Sequence, residues 1–451
     1  MLAGPDAAAG HRIAPHSTAA GPDRVDALTG LRALAALLIV ATHAAFATGR
    51  LPHGFLGTVY ARLEIGVPVF FALSGFLLFR PWVRAAATAG APPPVRRYAR
   101  HRIRRVMPAY VVAVLATFAV YAVHALHSAG PNPGQSWHGL LRYLTLTQIY
   151  TDDYLLTSLH PGLSQMWSLA VEVSFYALLP ALAYGLLTVL CGGAWRPGRL
   201  LAGLAGLAAV GPVWLFVLQT TDWLPNSAGM WLPAHLGPFA GGMALAVLHV
   251  HRARCRPRVV LALAAAGFLA ACTPLAGGVT LGPVAVWQPV VKAALYAAVA
   301  TLVLAPLVLA PVLAPVSGPV SGPVSGPVSG GAGVPGYRRL LGSRPVVWLG
   351  EISYEIFLLH VVVMAVAMSV VLRWPLFTGS TAGLWALTLA ITLPSAWLLH
   401  RLTAAAPAQT RARNAGTSSR SARPRCEAAS LSCGLSSAAE RSEPSGTKMG
   451  S

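Results

Sequence analysis

Arg32 and His43 stand eleven residues apart in the otherwise apolar stretch LRALAALLIVATH. On a helix that spacing is almost three whole turns, so both side chains project from one face, roughly 16 Å apart along the axis. The pair offers a cation at one end and an imidazole titrating near neutrality at the other, which suits anion holding and proton transfer. A snorkelling arginine and a packed histidine would produce the same spacing. Glu172 lies within WSLAVEVSFYALLP, with Ser168 and Tyr176 one turn away on either side. A carboxylate inside so apolar a run is costly unless paired or solvated, and is read as functional. A third segment, LGEISYEIFLLH, places Ser353 and His360 on one helix face and Glu351 and Glu355 on another. His43, Glu172 and His360 fall at comparable depth in three different apolar runs, so one shared catalytic site is expected from them.

Two further groups suit ligand binding more than proton transfer. Arg96, Arg97, Arg100, Arg102, Arg104 and Arg105 crowd ten residues just before an apolar run. They suit a polyanionic ligand such as a phosphate-bearing donor, and equally a cytoplasmic anchor for a bilayer. Within GVPVFFALSGFLLF, Ser74 and Gly75 make a small, polar-capable spot that serves either close helix packing or a ligand.

The elements that must position these residues are apolar helices. Of 451 residues 55% are hydrophobic and 10% charged, with a mean hydropathy of +0.61, so the expected solvent is a bilayer. Ten runs can cross it: about 28–48, 64–83, 106–128, 166–190, 199–218, 231–249, 259–277, 288–313, 345–371 and 381–400. The expected fold is thus all-α, a polytopic membrane helix bundle of about ten spans. Alternating loops from a cytoplasmic N-terminus puts sixteen cations, from Arg84 to Arg344, inside, against five outside (Arg50, Arg62, Arg142, Lys292, Arg373), so both termini are expected in the cytoplasm. Residues 1–25 lack the order of regions of a cleavable signal, and the first run reads as a retained span. Residues 1–25 and 402–451 are expected to be disordered, and residues 315–336, with their repeated Pro-Val-Ser-Gly, to be a linker inside a membrane domain spanning 26–401.

Composition also removes alternatives. The formal charge of +20 invites nucleic acid, but the arginines form short clusters between apolar runs with no aromatic-basic stacking surface, so nucleic acid is not expected as a partner. Five scattered cysteines without a CxxC pair suggest neither zinc nor a disulfide framework.

Five segments in one order, RVDALTGLRALAALLIVATH, GVPVFFALSGFLLF, RYARHRIRRVMPAY, WSLAVEVSFY and LGEISYEIFLLH, resemble the acyltransferase-3 family over about residues 24–401. These are integral membrane enzymes that O-acylate sugars and other cell-surface or secreted acceptors. The resemblance implies transfer of an acyl group, acetyl by expectation, from cytoplasmic acyl-coenzyme A to a hydroxyl of a sugar or secondary metabolite at the plasma membrane. No tightly bound cofactor is implied. Arg32 and His43 match the family's essential pair, and Arg102 and Arg105 its cytoplasmic arginine motif. The expected donor-binding set is Arg32, Ser74, Arg97, Arg102 and Arg105. His43 is expected as general base, with an acyl-histidine intermediate as the variant, while Glu172 orients the imidazole or the acceptor. Pro68 stands where many members carry an acid, and the Glu-Pro-x-Arg-Arg type ending of the last span is missing after His400. The competing readings are a transporter whose polar groups line a path, or a degenerate, non-catalytic paralogue.

Overall fold

Prolines and glycines punctuate the apolar runs, and the chain folds as helices between them. The computed structural model describes residues 22–124, 126, 132–152, 158–279, 285–311 and 335–403. The expected disorder of residues 1–25 and 402–451 and most of the 315–336 linker lie outside the described residues, although the first helix already begins at Pro22. The helices are α1 (Pro22–Ala47), α2 (Gly54–Arg62), α3 (Gly66–Ala87), α4 (Val95–Val123), α5 (Trp137–Leu144), α6 (Trp167–Tyr184) and α7 (Pro197–Thr220). They continue as α8 (Leu236–Val250), α9 (Pro257–Ala271), α10 (Trp287–Val308), α11 (Pro335–Leu341), α12 (Arg344–Glu351), α13 (Ser353–Val366) and α14 (Thr381–Thr403). Strand is limited, among the described residues, to a two-residue parallel pairing of Arg254–Cys255 with Ala310–Pro311.

Nine helical segments among the described residues are long and apolar enough to cross a membrane, and the bundle is polytopic and all-α as expected. The expected run at 259–277 is the exception in length. Its helix, α9, has only 15 residues, about 22 Å at 1.5 Å per residue, short of the roughly 30 Å of hydrocarbon. It stops at Ala271 because Thr273 and Pro274 start a tight turn, and the Arg62 guanidinium takes the carbonyls that the turn exposes. Nε donates to Ala271 O at 2.8 Å, and Nη2 to Ala276 O at 3.1 Å and Gly277 O at 2.5 Å. Carbonyls at a helix end need such a donor where water is scarce. Arg62 is only 2% exposed with its guanidinium spent on those carbonyls, and Lys292 is ion-paired with Glu64, so two of the five cations expected outside are accommodated within the bundle.

The ninth expected span is not one helix. At Ile352 the backbone leaves helical geometry (φ −96°, ψ 7°), separating α12 from α13. Glu351 and Glu355, expected to share a face, therefore point to different neighbours. α11 and α12 lie along the start of α1, where Gly30 and Gly350 let backbones meet, since a Cβ at Gly350 of α12 would collide with Thr29 O and one at Gly30 with Leu341 O of α11. α3 meets α8 in the same way, with Gly75 against Phe239 O and Gly242 against Ala72 O. Residues of α1, α3, α4, α6, α12 and α13 line one interior, while Val213, Phe216, Leu263 and Leu269 present apolar surface outward.

Candidate active site

Along α1 the side chains of Arg32 and His43 open on two different places. Arg32 faces a chamber walled by α3, α4, α6 and the α12–α13 break, whose polar lining includes Ser74, Arg102, Arg105, Glu172, Tyr176 and Glu351. Ser168, Ser353 and Tyr354 complete its polar wall. Ser74 reaches the chamber because its neighbour Gly75 is consumed by close packing on α8; the two expected roles of this dipeptide fall on separate residues. Ser74 Oγ and Tyr176 OH both donate to Glu172 Oε1, the latter at 2.6 Å. One carboxylate oxygen accepting two hydroxyls is held in place as an acceptor.

Opposite that carboxylate stand unspent cations. No ion pair or hydrogen bond with another described residue engages the guanidinium of Arg32, Arg102 or Arg105, and Arg102 Nε is buried without any partner. Three guanidiniums facing a chamber with two carboxylates, Glu172 and Glu351, leave an excess positive charge that an anionic ligand can neutralise. Arg97 does not join them. It sits on the exposed side of α4's first turn, whereas Tyr98, Arg102 and Arg105 follow the helical period that faces inward, so its expected place in the donor-binding set is not supported by the arrangement.

His43 and His360 meet at the other end of α1. His360 Nε2 lies 3.1 Å from His43 Nδ1, with ring centroids 5.0 Å apart. The tautomers follow from the backbone. His360 Nδ1 faces two carbonyls, Phe357 O at 2.8 Å and Ile356 O at 3.1 Å, so it carries a proton and leaves Nε2 as an acceptor. His43 Nδ1 faces Ile39 O at 2.9 Å and that acceptor, so it donates to both, and its proton-free atom is Nε2. Gln165, 2% exposed, steadies this end of α13 by donating Nε2 to Leu358 O at 3.0 Å.

The expected grouping of three catalytic residues is thus only partly realised. His43 and His360 are brought together, but Glu172 belongs to the arginine chamber, and no hydrogen bond joins it to either imidazole among the described residues. A 3-10 segment, Pro161–Met166, precedes α6, and on that helix Glu172 faces Ser74 of α3. Between the two ends lies Phe357, which lines the chamber and packs its ring 6.0 Å from that of His360. A further carboxylate inside the bundle is Glu64, held by Lys292 and by Tyr296 OH, which donates at 3.1 Å. Glu64 is missing from the sequence-derived site, although an acid inside the run RLEIGVPVFF carries the same signal as Glu172.

A multi-pass helical bundle with an arginine-lined interior chamber and an inward-facing histidine pair defines a membrane protein built to work on a ligand within its own helices. A family model described as an acyltransferase domain matches residues 25–401, and the chain belongs to this acyltransferase-3 family. It is therefore an acyltransferase and a multi-pass membrane protein. No curated protein and no solved structure matches it.

Proposed function

We propose that the chain transfers an acyl group, with acetyl the simplest case, from cytoplasmic acyl-coenzyme A to a hydroxyl of a sugar or other envelope or secreted acceptor at the plasma membrane. The observation that carries the donor is the set of unpaired guanidiniums of Arg32, Arg102 and Arg105 around one chamber, which suits the coenzyme's phosphates and the charge that develops on transfer. An extended donor arm running along α1 then connects that chamber with the histidine pair roughly 16 Å away.

His43 Nε2, free of a proton in the tautomer that Ile39 and His360 enforce, takes the proton of the acceptor hydroxyl as its oxygen attacks the thioester carbonyl. The new C–O bond forms, the C–S bond breaks, and the proton passes from the imidazolium to the departing coenzyme A thiolate. His360 is a positioning residue: it fixes the tautomer and accepts part of the imidazolium's charge through Nε2. Glu172 acts at the donor end, where it sets the geometry of Ser74 and Tyr176 and tempers the arginine charge. With the cation bias of the loops placing Arg102 and Arg105 on the cytoplasmic side, donor and acceptor enter from opposite faces. The test uses sealed membrane vesicles from cells with and without the gene, fed labelled acetyl-coenzyme A on the cytoplasmic face. Label on an envelope or secreted acceptor, absent with His43→Ala, is the expected result; transfer undiminished in that variant sinks the mechanism.

A further inference from the structure

At the outer end of α1 lies a second pocket of about 480 Å³, within the ~300–1,000 Å³ range of small-molecule sites. Three segments wall it: the turn after α1 with Arg50 and His53, α2 with Gly57 and Tyr60, and the turn into α14 with Ser380 and Thr381. Two of these walls are tied to α1 at threonines that bracket His43 in sequence. Thr42 Oγ1 donates to Ala61 O, beside Tyr60, at 3.5 Å, and Thr48 Oγ1 lies 2.7 Å from Thr381 Oγ1. Phe377 N–H donates to Ala47 O at 2.8 Å, and Phe377 packs so closely on Gly49 (φ +70°) that no Cβ fits there. A Cβ at Gly57 would likewise collide with the carbonyls of Arg50 and Leu51. The backbone around the pocket is therefore held in place before any ligand arrives. Its donors are unspent: no hydrogen bond or ion pair with another residue engages the side chain of Arg50, His53 or Tyr60. Ser380 Oγ accepts from Gly383 N at 3.2 Å and keeps its own proton to donate. No carboxylate lines the pocket, unlike the arginine chamber with its two.

We propose that this pocket holds an anionic group of the acceptor, so that the hydroxyl acylated belongs to an acidic saccharide, one bearing a carboxylate or a phosphate. The inference rests on the reading that the acceptor reaches His43 from the outer face. Ala47, where Phe377 is anchored, is four residues or about 6 Å along α1 from His43, and Arg50 follows within the next turn of chain. At that separation the anion sits on the acylated sugar unit or on its neighbour. The planar fork of Arg50 matches a carboxylate or phosphate with two parallel hydrogen bonds. His53, Tyr60 OH and Ser380 Oγ supply further donors for the anion and for ring hydroxyls. Having cations and no acid, the pocket favours a charged saccharide over a neutral one of the same shape. The phosphate of a lipid headgroup offers the same chemistry, and the experiment separates the two sources.

The experiment uses the full chain in nanodiscs of phosphatidylcholine, with excess coenzyme A present to occupy the arginine chamber. Binding of labelled digalacturonic acid is compared with that of galactobiose, its uncharged counterpart. The acid is expected to bind at least tenfold more tightly. Arg50→Ala should abolish that preference and Arg50→Lys keep part of it, because lysine retains the charge without the fork. The Arg50 side chain is exposed, so both variants are expected to remain monodisperse. Equal binding of the two sugars, or a preference that Arg50→Ala leaves intact, overturns the proposal. So does a phosphatidylglycerol molecule that native mass spectrometry finds retained by the wild type and lost in Arg50→Ala, the result expected of a lipid headgroup site. The two readings fail separately: His43-dependent acetyl transfer without the anion preference rejects the acidic acceptor alone, and Arg50-dependent anion binding without transfer from acetyl-coenzyme A rejects the proposed reaction alone.

Discussion

At the residue scale the proposed chemistry depends on where two protons sit. The carbonyls of Phe357 and Ile356 fix the His360 tautomer, and that tautomer in turn fixes His43. His43→Ala is expected to lower the rate of acyl transfer at least ~100-fold, the contribution typical of a positioned general base. His360→Ala should cost about tenfold, because Ile39 O still holds His43 Nδ1, and His360→Gln should restore part of the loss by presenting an amide oxygen as acceptor. Equal rates for His360→Ala and the wild type would contradict the tautomer assignment. Glu172→Gln keeps the shape of the side chain and removes the charge that balances the arginines. Its expected signature is a raised Michaelis constant for the donor with thermal stability changed by no more than a few degrees, since Ser74 and Tyr176 can still donate to the amide oxygen. A variant that leaves donor affinity unchanged would detach Glu172 from the donor end.

At the scale of elements the site is placed by close backbone contacts and by one loop anchor. Gly75 and Gly242 let α3 and α8 touch, so Gly242→Val should push them apart and abolish monodisperse, extractable protein, whereas Gly206→Ala, where nothing lies within 4 Å, should be neutral. Size-exclusion profiles in detergent decide between those outcomes. His160 anchors the outer connection that feeds α6. Its Nδ1 accepts from Gly162 N at 3.1 Å, Tyr143 OH accepts from its backbone N–H at 3.0 Å, and the rings of Phe118 and Tyr121 close over it. Burial lowers its pKa to about 4 from the ordinary 6.5. The opened loop binds a proton below pH 6.5 and the packed one does not, so this anchor is at full strength above pH 6.5. It weakens as pH falls toward 4, by about 3 kcal/mol at the limit. Hydrogen exchange over residues 158–166 should accelerate between pH 7 and pH 4.5 after correction for the intrinsic rate, and the pH dependence should vanish in His160→Asn.

At the scale of the molecule the prediction concerns orientation. Four spans, which contain α4, α6, α7 and α8, separate the arginine cluster at residues 96–105 from the loop at Arg252–Arg258, an even number that keeps both on one side. In a cysteine-free background, Asp152→Cys in intact cells should react with a membrane-impermeant maleimide, and Arg252→Cys only after permeabilisation; both positions are exposed. Labelling of both from outside would remove one pass and place the donor and acceptor on the same face. Glu64 with Lys292, and Arg62 with the end of α9, show why cations on the sparsely charged side survive inside the bundle.

Sequence by itself determined the helices, their approximate number, the membrane as solvent and the family, because hydrophobic run length and local motif order need no knowledge of partners. It also found Arg32, Ser74, Arg102, Arg105 and Glu172, all of which line the chamber, and both imidazoles of the histidine pair. Only tertiary structure decided that Glu172 lines the arginine chamber with no hydrogen bond to His43 among the described residues, and that Arg97 faces away. Those outcomes depend on the rotation and axial offset of each helix against its neighbours. The 3-10 segment before α6 and the backbone break at Ile352 are two features of that kind, and neither leaves a mark in the pattern of apolar residues.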